Sequence, residues 1–179
     1  LESKKIFAIV GSATKNSSNL KILEFLKETS QGNFEVDIFD SLSDLLHFNT
    51  EQTAENTPAS IALIRQKIEA SDGVIISSPE YIFSIPSGLK NLLEWSVSTT
   101  IFSDKPVGII IASASGEHAL KELVLIMQTL GGKLSHTNQL VINGIKGELD
   151  ANNELTDQST LDLVKNFMES SRELIGYLQ

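Results

Sequence analysis

Five short runs of apolar and β-branched residues punctuate the chain, at about 5–10, 34–39, 73–78, 106–112 and 137–142. Each has the length of a strand, and several hold continuous apolar stretches in the manner of strands covered on both faces. Ile109-Ile110-Ile111 is the plainest case and predicts a central strand. The segments between them change period. From Leu20, residues three and four apart mark one helical phase (Leu20, Leu23 and Lys27), with Ile22, Phe25 and Leu26 broadening the apolar face, and Gly32-Asn33 ends the run. Thr57-Pro58 reads as a cap and a first-turn proline before Ile61, Ile64 and Ile68. Pro86 opens a third helix with Leu89, Leu92, Leu93 and Trp95, and a fourth, at about 117–130, carries Leu120, Leu123, Val124 and Met127 before Gly131-Gly132. A last helix, at about 156–178, carries Leu161, Val164, Phe167, Met168, Ile175 and Leu178.

Strand and helix alternate, and each connection is long enough for a right-handed crossover. The expected fold class is therefore α/β: a three-layer sandwich with a five-stranded parallel sheet and helices on both faces, in one domain over 1–179. Two segments break the rhythm. Residues 41–56 have weak periodicity and read as an excursion with little regular structure, and 143–155, with Gly144 and Gly147, read as a loop able to move or to meet a partner chain.

Composition narrows the function. Of 179 residues, 41% are hydrophobic, and 23 acidic side chains against 14 Lys and Arg give a net charge of -9. That balance disfavours nucleic acid and anionic membranes as partners, while leaving room for a small anion at a local site. The chain has no cysteine, which excludes disulfides, thiolate nucleophiles and cysteine-ligated metals. His47, His118 and His136 have no metal-ligand spacing, and no Gly-x-Ser-x-Gly elbow supports a serine hydrolase. The apolar run from Val107 to Ala114 is too short to span a bilayer, and a cytoplasmic protein is expected.

The chemistry concentrates in loops that leave the strands. After the first strand comes Gly11-Ser12-Ala13-Thr14-Lys15-Asn16-Ser17-Ser18-Asn19. Gly11 permits a sharp exit, Ser12, Ser17 and Asn19 offer hydrogen-bonding groups, and Lys15 offers a mobile positive charge. Ser17 or Ser18 can cap the next helix. Helix capping alone also accounts for a loop rich in Ser and Asn. The spacing is neither the three-glycine dinucleotide fingerprint nor the nucleoside triphosphate loop, so a monophosphate is the expected ligand. Beyond the third strand, Pro79 stiffens the exit, Glu80 either turns away as a solvated carboxylate or accepts from a ring N–H, and Tyr81, Ile82 and Phe83 bring apolar rings and a branched chain to the surface. Beyond the fourth, Ser113, Ser115 and Gly116 supply hydroxyls and free amides, and His118 reads as a surface residue.

Gly11-Ser12-x-x-x-x-Ser17-x-Asn19, then Pro79-Glu80-Tyr81, then Pro86-x-x-Leu89-Lys90-Asn91-x-x-x-Trp95 resemble the NADPH-dependent FMN reductase family, with Phe102-x-x-Lys105-Pro106-Val107 also fitting. The block from Pro79 to Trp95 is the most specific. The resemblance implies a flavodoxin-like fold and one FMN per subunit. Ser12, Ser17 and Asn19 would hold its phosphate; Pro79, Glu80 and Tyr81 would lie against its ring, with Ser113, Ser115 and Gly116 on the far side. It further implies reduction by NADPH or NADH, electron delivery to a quinone, azo, metal-oxyanion or flavin acceptor, and a homodimer or homotetramer.

Departures from the family pattern qualify these expectations. Thr14 stands where the family has arginine, Ile82 where it has asparagine after Pro-Glu-Tyr, Glu117-His118 where it has a glycine pair, and Ser87-Gly88 alters the proline-glycine step. The first change predicts a weaker or rearranged grip on the phosphate. The rival to a reductase is a non-enzymatic flavodoxin-like module, serving electron transfer or assembly, with weak or absent flavin binding.

Overall fold

The computed structural model describes residues 3–30, 32–52, 56–145 and 154–177. Five strands, β1 (Lys4–Val10), β2 (Phe34–Phe39), β3 (Gly73–Ser78), β4 (Val107–Ser113) and β5 (Gln139–Asn143), form one sheet in the order β2-β1-β3-β4-β5. Every neighbouring pair is parallel. Helices α1 (Ser18–Thr29), α2 (Ala59–Ala70), α3 (Ser87–Glu94) and α4 (Glu117–Thr129) make the crossovers, and α5 (Gln158–Tyr177) follows the last strand; together they flank the sheet. This is the flavodoxin-like doubly wound arrangement, whose order reverses between β1 and β3.

The alternation of side chains along each strand builds two cores. Phe7 and Ile9 of β1, Val74 and Ile76 of β3, and Ile109 and Ile111 of β4 face α2, α3 and α4. Ile6, Ala8 and Val10, Ile75, and Ile110 and Ala112 face α1 and α5. That division explains why β3 is buried along its whole length and why its sequence carries no polar face. β4 is interior as expected, though the middle position belongs to β3.

Helix starts differ from the sequence expectation in small ways. Pro58 is itself the N-cap of α2, and the Thr57 hydroxyl accepts from the Arg65 guanidinium at 2.9 Å. Pro86 caps α3. The 41–56 excursion contains a 3-10 turn at Leu42–Asp44. The 143–155 segment falls largely on 146–153, outside the described residues. No described helix is long and apolar enough to cross a membrane.

Candidate functional site

Because all five strands run parallel, the loops after β1, β3, β4 and β5 open on one edge. They enclose a cleft of about 670 Å³ lined by Ser12, Thr14 and Asn16–Asn19 on one side, Pro79–Tyr81 on a second, and Ala112–Ala114 with Gly144 and Ile145 on a third. This lies within the range of small-molecule sites and at the switch point of the strand order.

The first wall is the N-terminus of α1. Ser17 caps the helix, its Oγ accepting from the Leu20 N–H at 3.2 Å, and so keeps its own hydroxyl proton available. Ser12 is buried and its Oγ accepts from the Thr14 N–H at 3.2 Å, which also leaves its proton unengaged. The first-turn N–H groups of Ser18 and Asn19 point out of the helix end without an intrahelical acceptor. Gly11 makes this approach possible: a Cβ there would stand 2.6 Å from Ser78 Oγ and 2.7 Å from its Cβ.

Asn19 differs from the role expected of it. Its Nδ2 donates to the Ala112 carbonyl at 3.2 Å and its Oδ1 accepts the Ser77 hydroxyl at 2.9 Å, all buried. The side chain pins α1 across β3 and β4 beneath the cleft, and the backbone N–H stays open at the helix end. Lys15 stands at the exposed tip of the Thr14–Asn16 turn, outside the cleft wall, with Asn16 at a φ of 54° completing the turn. Among the described residues lining the cleft there is no lysine, arginine or histidine. The donors are therefore hydroxyls and amides.

Glu80 touches the cleft but directs its carboxylate elsewhere. Oε1 accepts the Ser115 hydroxyl at 2.9 Å, and Oε2 accepts the N–H groups of His118 and Ala119 at 2.9 and 2.8 Å. Burial opposes ionisation, yet the Ala119 N–H, the Ser115 hydroxyl and the His118 N–H outweigh it and hold the carboxyl below its usual range. α4 has Gly116 as its N-cap and no local side-chain cap, so Glu80 serves that end from another loop. Gly116 is required by packing, since a Cβ would lie 2.6 Å from Ile111 Cγ2.

The tip beyond Tyr81 is a tight turn. Tyr81 and Ser84 exchange both backbone hydrogen bonds, at 2.9 and 3.1 Å, and Ile82 and Phe83 both have positive φ, 52° and 58°. Ile82 is 95% and Phe83 71% exposed, and neither lines the cleft. Phe83 meets His118 edge-on at 5.1 Å between ring centroids. Of the thirteen positions expected from sequence, Ser12, Ser17, Asn19, Pro79, Glu80, Tyr81 and Ser113 line the cleft. Gly11, Lys15, Ile82, Phe83, Ser115 and Gly116 lie around it. Thr14, Asn16, Ser18, Ala112, Ala114, Gly144 and Ile145 were not among the expected site residues; Gly144 was visible only as a glycine beyond the fifth strand.

Residues 4–146 match the model of the family described as NADPH-dependent FMN reductase. The chain belongs to this family. Similar relatives include a quinone reductase of Escherichia coli K12, 26% identical over 97% of this chain and 96% of that protein. A subunit of an NADH:(hydroxy)cinnamate reductase of Vibrio ruber is 29% identical over 86% and 78%. Among solved structures, the flavoenzyme NAD(P)H:(acceptor) oxidoreductase FerB of Paracoccus denitrificans superposes with a TM-score of 0.85 at 24% identity, covering 97% of this chain and 98% of that one, a likeness of fold. Membership makes the protein an oxidoreductase of the flavodoxin-like reductase superfamily.

The family's Lys-Asn-x-x-x-Trp block has a defined part in this fold. Asn91 Oδ1 accepts the Phe48 N–H at 2.7 Å, and both Asn91 Nδ2 and Trp95 Nε1 donate to the Leu46 carbonyl, at 3.0 and 2.8 Å. The Phe48 ring packs edge-on against Trp95 at 5.2 Å. The block fastens the otherwise irregular segment after β2 to α3, and neither side chain reaches the cleft.

Proposed function

We propose that the protein is an FMN-dependent NAD(P)H oxidoreductase that takes a hydride from NADPH or NADH and passes electrons to a small-molecule acceptor. The observation that carries this reading is the open N-terminus of α1. It presents the Ser12 and Ser17 hydroxyls and the Ser18 and Asn19 N–H groups on one wall of a cleft whose other walls include Pro79, Tyr81, Ala112 and Ala114. An anion at one end and a flat, largely apolar body across the strand ends is the shape such a cleft accepts.

The residues fit the flavin. Ser12 and Ser17 would donate to its phosphate together with the two helix-end amides, and the positive end of the helix dipole would favour the phosphate charge. Tyr81, half exposed at the mouth, and Ala112 and Ala114 line the volume for the ring and exclude water from it. When bound, FMN supplies the two-electron chemistry, and the protein positions and desolvates it. No side chain is assigned as acid or base.

The acceptor class extends to quinones, azo compounds, metal oxyanions and free flavin, with quinones first because several relatives carry that name. A homodimer or homotetramer in the cytoplasm belongs to the same reading. The absence of any cation among the described cleft residues favours a second one, an electron-transfer or assembly module that holds flavin weakly.

Titration of FMN and riboflavin into the flavin-free protein, followed by flavin fluorescence, separates these. The reductase reading expects saturable one-to-one FMN binding at least ~10-fold tighter than riboflavin, about 1.4 kcal/mol from the phosphate contacts. Absence of saturable FMN binding overturns it.

A further inference from the structure

Two of the helix N-termini at this sheet edge, those of α1 and α4, are in opposite states. The start of α1 is open, with serine hydroxyls and unpaired amides facing the cleft. The start of α4 is closed: Glu80 reaches across from the β3–α3 loop and takes the His118 and Ala119 N–H groups and the Ser115 hydroxyl. The connection is returned by α4, where Glu122 Oε2 accepts the Ser84 hydroxyl at 2.7 Å and the Ile85 N–H at 3.0 Å. The two carboxylates thus fasten the loop to the helix at both ends of the Tyr81–Ser84 turn. The Ser113 hydroxyl adds a bond to the Glu80 carbonyl at 3.3 Å.

We propose that Glu80 is a positioning residue that sets ligand polarity: its carboxylate fills the anion-binding end of α4 as a built-in anion, so a ligand phosphate is directed to the α1 end and the uncharged part of the ligand to the Glu80 side. The inference rests on reading the cleft as a phosphate-ligand site and deepens it. A helix start with two free amides and a serine hydroxyl attracts an anion, and the α4 start has that composition once Glu80 is removed. A fixed carboxylate there also repels a second phosphate, because like charges at close range in a partly desolvated site are unfavourable. The site therefore suits a ligand with one anionic end and one uncharged aromatic end, and disfavours a ligand bearing phosphates at both. Glu122 has a separate part, holding the turn that carries Tyr81 while leaving the α4 amides untouched.

The test uses the full-length flavin-free protein and inorganic phosphate, with backbone amide shifts as the readout. In the wild type, phosphate is expected to shift the amides of residues 17–20 and to leave those of residues 117–119 unmoved. In Glu80→Ala, phosphate should shift both sets, the α4 set saturating in the millimolar range. Glu80→Gln keeps the shape without the charge and guards against loss of fold; there the α4 amides should respond to phosphate more weakly than in Glu80→Ala. Loading with FMN gives a second readout, in which Glu80→Ala should lose at least half of the wild-type preference for FMN over a flavin carrying a second phosphate. Phosphate shifts at residues 117–119 in the wild type, or none there in a folded Glu80→Ala protein, would overturn the proposal. Failure of phosphate to move residues 17–20 would instead overturn the cleft reading on which it rests.

Discussion

Asn19 Oδ1 accepts the Ser77 hydroxyl at 2.9 Å in the buried floor of the cleft, while its Nδ2 donates to the Ala112 carbonyl at 3.2 Å. One side chain thereby ties the start of α1 to the ends of β3 and β4. Removing it leaves a buried hydroxyl and a buried carbonyl without a partner, at about 1–3 kcal/mol each. Asn19→Ala is expected to lower stability by about 2–4 kcal/mol, read from the urea unfolding midpoint at unchanged slope. A stable variant with reduced FMN affinity would show that the side chain serves the ligand instead.

Lys15 and Ser17 should separate cleanly. Lys15 is exposed and outside the cleft wall, so Lys15→Gln is expected to change FMN affinity less than ~3-fold, the size of a screened surface charge effect. Ser17→Ala removes both a helix cap, about 0.5–2 kcal/mol, and a phosphate donor. Its FMN affinity should fall about 10-fold, while riboflavin binding, which has no phosphate to lose, stays within ~2-fold. Fluorescence titrations at two salt concentrations check both.

Acid should release Glu80 from α4. Its carboxyl is held below the usual range, against the cost of burial, by Ala119, Ser115 and His118, with the neighbouring His118 charge assisting. A depressed folded-state value contributes stability that is complete above the unfolded value of about 4.3 and is lost as pH falls through the lower folded value. The stability difference between wild type and Glu80→Gln should therefore be constant above about pH 6 and shrink below about pH 4.5. Chemical unfolding across that range measures it, and a difference that grows on acidification would contradict the assignment.

Ile82 occupies a left-handed conformation that costs a β-branched residue about 1–2 kcal/mol, in a turn where two successive positive φ values favour Asn-Gly. Ile82→Asn is expected to raise stability by about 1 kcal/mol, measurable as a higher thermal midpoint. Since Ile82 faces solvent outside the cleft, FMN affinity should be unaltered.

The strands and their two-faced burial were readable because β3 and β4 carry unbroken apolar runs up to their terminal serines, and the open helix start was readable because Ser17 caps the segment it precedes. What stayed hidden depends on contacts far apart in sequence. Glu80 and Ala119 are 39 residues apart, and no local pattern links a loop carboxylate to another helix's start. The direction of the Asn19 side chain depended on the ends of β3 and β4 lying side by side, which follows from the strand order and not from the first loop. The turn at Ile82-Phe83 was masked because neither residue belongs to the types that mark positive φ. Lys15 looked like a cradle cation because composition carries no information about which way a short turn points.

The most direct test of the central claim is an anaerobic titration of the FMN-loaded protein with NADH and with NADPH, followed in the visible band of oxidised flavin. The account predicts stoichiometric bleaching by at least one of the two nucleotides and recovery of the band on adding a quinone. Bound flavin that stays oxidised under excess of both nucleotides would contradict it.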